Sequence, residues 1–287
     1  MTQSAEIRVA YSPDADDAFM FWALVHRRID TQGLSFAWQR ADTEALNRGA
    51  ENTSAPDVSA VSIHQYAYLA DRYLLLPHGG SVGVGYGPVV VAKRALAPHA
   101  LSGLRIGVPG LRTTAYLVLR LLIPDFEAVV LPVQPFRRVF AALDAGEVDA
   151  ALLIHEGRLL YEREGLQCAL DIGDAWQRLT GLPLPLGGNV IARSLGPELI
   201  ARVSEVLRES IRFALENRAE VLAALVGAET REGVPREPAL FDSYLAMYAN
   251  EDTLDYGPLG RRAISDLLDR GHAAGIIPRA VNVEFAP

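Results

Sequence analysis

His155 is the side chain in this sequence best placed for proton chemistry. It follows Ala150-Ala151-Leu152-Leu153-Ile154, an apolar run that reads as a central strand, and open α/β sheets hold their ligands at the carboxyl ends of strands. Histidine ordinarily titrates near ~6.5, so a residue at such a place can take a proton from a substrate at neutral pH. A histidine bonded to backbone at a strand end is the other reading, and spacing alone does not separate the two.

Three further groups share this kind of position. Thr113-Thr114 follows the run 105–108 and the turn Pro109-Gly110-Leu111-Arg112, at the start of a helical pattern. The free N–H groups and hydroxyls there would suit an anion or carboxylate, although threonine at a helix start also serves simply as a cap. Ser12-Pro13-Asp14-Ala15-Asp16-Asp17 is a loop after the first strand, with three carboxylates. One of them is expected to cap the next helix, and the others, with Ser12, either bind sugar hydroxyls or face solvent as surface acids. Ser62 ends the run 58–63 and takes the equivalent place in the same sheet.

Two motifs fail on context. His155-Glu156-Gly157-Arg158-Leu159 begins like a zinc-protease helix but has Leu159 where the second histidine belongs. The other histidines are scattered, so no metal is expected. Gly83-Val84-Gly85-Tyr86-Gly87 has the glycine density of a dinucleotide loop, yet it opens a strand rather than a helix. It reads as a flexible segment between lobes.

The elements that must position these residues are legible as alternating strand and helix patterns, which imply α/β architecture with a largely parallel sheet. Strands are expected at 7–12, 34–40, 58–63 and 89–93, then at 104–108, 128–133, 148–155, 166–172 and 189–193. From Pro197 onward the pattern is helical, with one long helix over 198–225 and others near 238–249 and 257–274, and a last strand at 281–285. Those helices need a sheet to cover, so the chain is expected to return to its first unit. The predicted organisation is two lobes around a cleft: residues 1–93 with 195–287 form lobe I, and the inserted residues 94–194 form lobe II.

Composition excludes several classes. The 287 residues carry 27 Lys+Arg against 35 Asp+Glu, a formal net charge of −8, with no basic block for nucleic acid. Half the residues are hydrophobic, enough for a substantial core and against wholesale disorder. Residues 1–6 have no basic and apolar leader pattern, and the uncharged stretch 73–92 holds too many glycines and prolines for a membrane helix. The single cysteine, Cys168, reads as an inert core thiol in a reducing compartment. The expected partner is a small-molecule substrate, without nucleic acid or membrane, and nothing in the sequence specifies an oligomeric state.

At these same residues the sequence resembles the 1,4-dihydroxy-6-naphthoate synthase family, in the futalosine route to menaquinone. The likeness runs through Ser12-Pro13 to Asp17 with Phe19 to His26, through 87–92, Val108-Pro109-Gly110 with Thr113 to Leu117, Ile154-His155-Glu156, and 180–187. The wider superfamily is similar to type II periplasmic binding proteins, two-lobed with a cleft. The resemblance implies a cytoplasmic, cofactor-free lyase that converts cyclic dehypoxanthine futalosine into 1,4-dihydroxy-6-naphthoate. It assigns His155 as proton acceptor, Thr113 and Thr114 as a substrate-binding pair, and Ala60-Val61-Ser62 as a second binding segment. Two departures stand out: the family's first loop commonly reads Ser-Pro-Cys-Pro-Asn-Asp-Thr, and a basic residue is common where Ala60 stands. Both make the cleft more negative, which disfavours an anionic precursor unless Arg112 or Arg158 compensates.

Overall fold

The computed structural model describes residues 6–132 and 135–287. The expected last residue of the 128–133 strand, and most of the stretch read as having no leader pattern, lie outside those residues. The chain begins β1 (Glu6–Tyr11), α1 (Ala15–Val25), β2 (Ser35–Arg40), α2 (Thr43–Gly49), β3 (Val58–Ser62), α3 (Ile63–Leu69), β4 (Tyr73–Leu75), β5 (Ser81–Gly83) and β6 (Val89–Ala92). It continues with β7 (Arg105–Val108), α4 (Thr114–Leu122), β8 (Glu127–Val130), α5 (Phe136–Asp144), β9 (Ala150–Leu153), α6 (Gly157–Leu160), β10 (Gln167–Asp171), α7 (Ile172–Thr180) and β11 (Leu184–Ala192). The rest is helical: α8 (Pro197–Glu216), α9 (Arg218–Ala228), α10 (Pro238–Tyr248), α11 (Glu251–Leu254) and α12 (Gly257–Ala273).

The local chemistry of these elements is conventional. β3, β6 and β9 are short apolar runs and are buried along their whole length, as strands covered on both faces must be. Asp42 caps α2 and Asp171 caps α7 through side-chain oxygens, and α7 stops at Gly181 in the left-handed region. The long helix expected over 198–225 is two helices. At Asn217 the backbone turns to φ −112°, ψ 32°, and its side-chain amide donates to the Phe213 carbonyl, freeing α9 to run in a new direction.

Two sheets result, in strand order β2-β1-β3-β11-β4, with β5 also on β11, and β10-β6-β9-β7-β8. Each has three parallel strands, β2-β1-β3 and β8-β7-β9, extended by antiparallel pairing. β11 runs antiparallel to β3, β4 and β5, and β6 antiparallel to β9 and β10. The fold is thus α/β with mixed sheets, not largely parallel ones. The two crossing strands also sit opposite to expectation. Val89–Ala92 joins the second sheet and Leu184–Ala192 the first, because an apolar run states that it must be buried, not which neighbour will pair with it.

The expected strand at 281–285 reduces to a single bridge between Phe285 and Leu75. Cys168 is exposed rather than in the core, because β10 is an edge strand whose first two residues face outward. α8 packs its apolar face, Ile200, Val203, Leu207 and Ile211, with Met20, Phe21 and Leu24 of α1 beside the first sheet. The core does not stop at the cleft. One apolar cluster joins Phe19 and Trp22 of α1 and Phe241 of α10 to Val89, Val91 and Ala151 of the second sheet, and another joins Val61 and Val190 to Ile106 and Leu152.

Candidate active site

A cavity of about 770 Å³ of empty space, its open mouth included, lies at the carboxyl ends of β1, β3 and β9. Its walls hold Ser12 and Asp17 after β1, Ala60, Val61 and Ser62 of β3, Thr113 and Thr114 at the start of α4, and His155 after β9. Of the residues singled out in the sequence, these eight, with Asp16 and Arg158, line one space, whereas Asp14 and Arg112 do not. Leu46, Ile154 and Leu186 add apolar wall, Thr43 and Ser81 add hydroxyls, and Tyr244 and Tyr248 come from α10.

His155 occupies a left-handed backbone conformation, φ 51°, one of three non-glycine residues among those described that do so. Such a conformation is sparsely populated and persists where its surroundings overdetermine it. Its Nε2 lies 3.4 Å from the Thr43 hydroxyl on the cavity wall. Its Nδ1 is buried and 3.2 Å from Asp14 Oδ2, within ion-pairing distance but out of line for a well-formed hydrogen bond.

The acidic loop is not a set of solvated surface acids. Asp14, Asp16 and Asp17 are all buried. Asp14 stands at the N-cap of α1 but makes no side-chain cap; its carboxylate instead accepts from the Ser12 hydroxyl and from Arg231 Nη1 at 2.6 Å. Asp16 accepts from Ser81 Oγ at 2.8 Å and from the Tyr244 hydroxyl at 3.2 Å. Asp17 accepts from the Ser12 N–H at 2.8 Å, while burial, with Asp16 adding repulsion, drives its carboxyl well above the usual carboxylate range. The cleft is therefore less negative than three carboxylates suggest.

The compensating cation is Arg231, which the sequence reading missed. It reaches Asp14, binds Glu156 with Nη2 at 2.6 Å from Oε1 and Nη1 at 3.2 Å from Oε2, and meets Glu229 at 2.5 Å. Glu156 is fully buried, and burial pushes its carboxyl upward against the pull of Arg231. The two arginines expected in this role are occupied elsewhere. Arg158 lines the cavity but pairs with Asp171 at 2.7 Å, and Arg112 stacks 3.5 Å over the Tyr68 ring. Arg231 lies 217 residues from Asp14, in the loop after α9, and no local pattern signals the pairing.

The threonine corner does two jobs. Thr113 caps α4, its Oγ1 accepting from the Tyr116 N–H and donating to the Gly110 carbonyl at 2.8 Å. Thr114 Oγ1 donates to the Leu186 carbonyl of β11 at 2.6 Å and accepts from the His64 N–H of α3 at 3.1 Å, tying α4 to the first sheet. Ser62 is gripped by Asn47, amide to hydroxyl at 3.1 Å and carbonyl oxygen to backbone N–H at 2.9 Å. Asn47, buried in α2, is a second residue that sequence reasoning missed. Among the described residues no group of three His, Cys, Asp or Glu side chains could hold a metal ion, and no helix is long and apolar enough to cross a membrane.

A family model described as menaquinone biosynthesis matches residues 7–273. The chain is 38% identical over 271 residues to a 1,4-dihydroxy-6-naphthoate synthase of Thermus thermophilus, covering 94% of this chain and 95% of that protein. It is 37% identical to the enzyme of the same name from Streptomyces coelicolor, covering 95% of each. A crystal structure of an Archaeoglobus fulgidus protein superposes with TM-score 0.85 at 44% identity, over 94% of this chain and 98% of that one. The alkanesulfonate-binding protein of Xanthomonas axonopodis pv. citri, bound to MOPS, superposes with TM-score 0.70 at 18% identity, over 99% and 98% of the two chains. The last match supports the periplasmic-binding-protein-like fold alone.

Proposed function

Because this chain belongs to the menaquinone biosynthesis family, we propose that it is a cytoplasmic, cofactor-independent carbon–carbon lyase forming 1,4-dihydroxy-6-naphthoate from cyclic dehypoxanthine futalosine, with His155 as general base. The observation that carries this reading is the placement of His155 Nε2 on the wall of a cavity whose other walls alternate apolar surface with hydroxyls. Leu46, Val61, Ile154 and Leu186 suit a flat bicyclic body, and Ser12, Thr43, Ser62 and Ser81 suit the polar edge of a sugar-derived fragment. His155 removes a proton, and carbon–carbon cleavage from that fragment is driven by aromatisation of the second ring.

Water exclusion by the apolar walls strengthens every polar contact made inside. Ala60, where a basic residue is common in the family, leaves that part of the β3 wall uncharged, so binding of the substrate there relies on shape and hydroxyl contacts.

The test is to incubate purified protein with cyclic dehypoxanthine futalosine and measure the naphthoate. The wild type is expected to turn over, and His155→Asn, whose side chain tolerates the left-handed backbone, is expected to lose ~10²- to 10⁴-fold in kcat while melting normally. Absence of wild-type turnover together with tight binding of another small molecule would overturn the reading in favour of a solute-binding module. Near-normal kcat in His155→Asn would remove the histidine from its role.

A further inference from the structure

We infer that Asp14 and Arg231 form a positioning unit for His155: Asp14 fixes the imidazole with its proton on Nδ1, leaving Nε2 free to accept, and Arg231 anchors the Asp14 carboxylate and holds the histidine backbone in place. The inference rests on His155 being the proton acceptor.

The geometry has three parts. Asp14 Oδ2 is 3.2 Å from His155 Nδ1, a buried nitrogen that makes no hydrogen bond among the described residues. Hydrogen bonds of this kind are often long or poorly aligned before the substrate binds and tighten when it does. The other oxygen of Asp14 takes Arg231 Nη1 at 2.6 Å, so the carboxylate cannot swing away from the ring without abandoning a buried guanidinium. Arg231 then grips Glu156, the residue after His155, on both carboxylate oxygens. The backbone at His155 stands at φ 51°, and this grip on the adjacent residue holds it there.

Charge accounts for the presence of the arginine. Buried Asp14 beside fully buried Glu156 needs a cation. Arg231 supplies it, and its planar fork reaches Asp14, Glu156 and Glu229 with a bidentate geometry that the point charge of a lysine lacks.

The experiment reads the ring directly, apart from turnover. Protein labelled with ¹⁵N-histidine has six histidines, and the His155 signals are identified by their loss in His155→Asn. In the wild type the expected pattern is Nδ1 protonated and Nε2 bare. Asp14→Asn is expected to mix the two tautomers and to lower kcat ~10- to 100-fold with KM within about twofold, since the group that orients the base is lost rather than a binding contact. Arg231→Lys is expected to keep the fold and to shift the tautomer in the same direction by less. A wild-type ring protonated on Nε2, or an Asp14→Asn protein with unchanged tautomer and unchanged kcat, would overturn the inference. If the wild type turned over no futalosine derivative, the function would fall while the ring signals still judged the pairing.

Discussion

The two flanks of the cavity are built on opposite plans. At the threonine corner, Thr113 and Thr114 are buried, and their hydroxyls make hydrogen bonds to nearby or facing backbone, with the His64 ring nitrogen bonded to the Thr113 carbonyl. At the histidine corner, Asp14, His155 with Glu156, and the 229–231 segment come from three distant parts of the chain, and charge holds them. Neutral hydrogen bonds satisfy a corner piece by piece, whereas a buried ion cluster holds or fails as a unit. The first corner is a scaffold that tolerates local change; the second holds His155 in one place by making each member depend on the others.

Arg231→Met should break this contrast most strongly. It leaves three buried carboxylates without a cation, a loss on the order of 3–5 kcal/mol. Melting or urea unfolding at neutral pH checks it, and the loss should shrink as pH falls and orphaned Glu156, whose carboxyl burial already pushes upward, takes up a proton.

Thr114→Val is the corresponding cut in the other corner. It strands the Leu186 carbonyl and the His64 N–H, a cost of about 1–3 kcal/mol, which Thr114→Ser should restore. Equal losses for valine and serine would show that the hydroxyl ties nothing.

The smallest effect belongs to Asp17→Asn, which keeps an oxygen for the Ser12 N–H but removes a carboxyl that burial disfavours in its charged form. The folded value lies above the unfolded one, so what the protonated group contributes is present in full below the ordinary aspartate range near ~3.9. It is lost as pH rises from there through the raised folded value. The variant should match the wild type in acid and become the more stable of the two as pH increases, by unfolding followed across that range.

The two corners also differ in how far they could be read from the sequence. Thr113 announced itself by position, between a turn and an apolar helix, and the cap it makes is a three-residue affair. His155, Ser62 and Ser12 were legible for a related reason: each ends an apolar run, and strand ends converge on a cleft in this class of fold. Arg231 was illegible because its meaning lies in partners 217 and 75 residues away, and an arginine in a polar loop carries no periodic mark. The same limit governs the sheets. β6 and β11 were recognisable as buried strands, but their antiparallel pairing across the two halves is a choice of neighbour. The break at Asn217 escaped because the apolar pattern continues through it into Val221.

The Arg231 cluster also governs how the halves of this molecule can separate. Asp14 follows β1 of the first sheet and Glu156 follows β9 of the second, so a single guanidinium spans the cleft like a rivet at one rim. Parting the sheets at that rim would drag bare charges apart in a region that excludes water. Opening at that rim therefore costs more than opening at the threonine corner, where only neutral hydrogen bonds would break, from Thr114 to the Leu186 carbonyl and between His64 and Thr113 and Thr114.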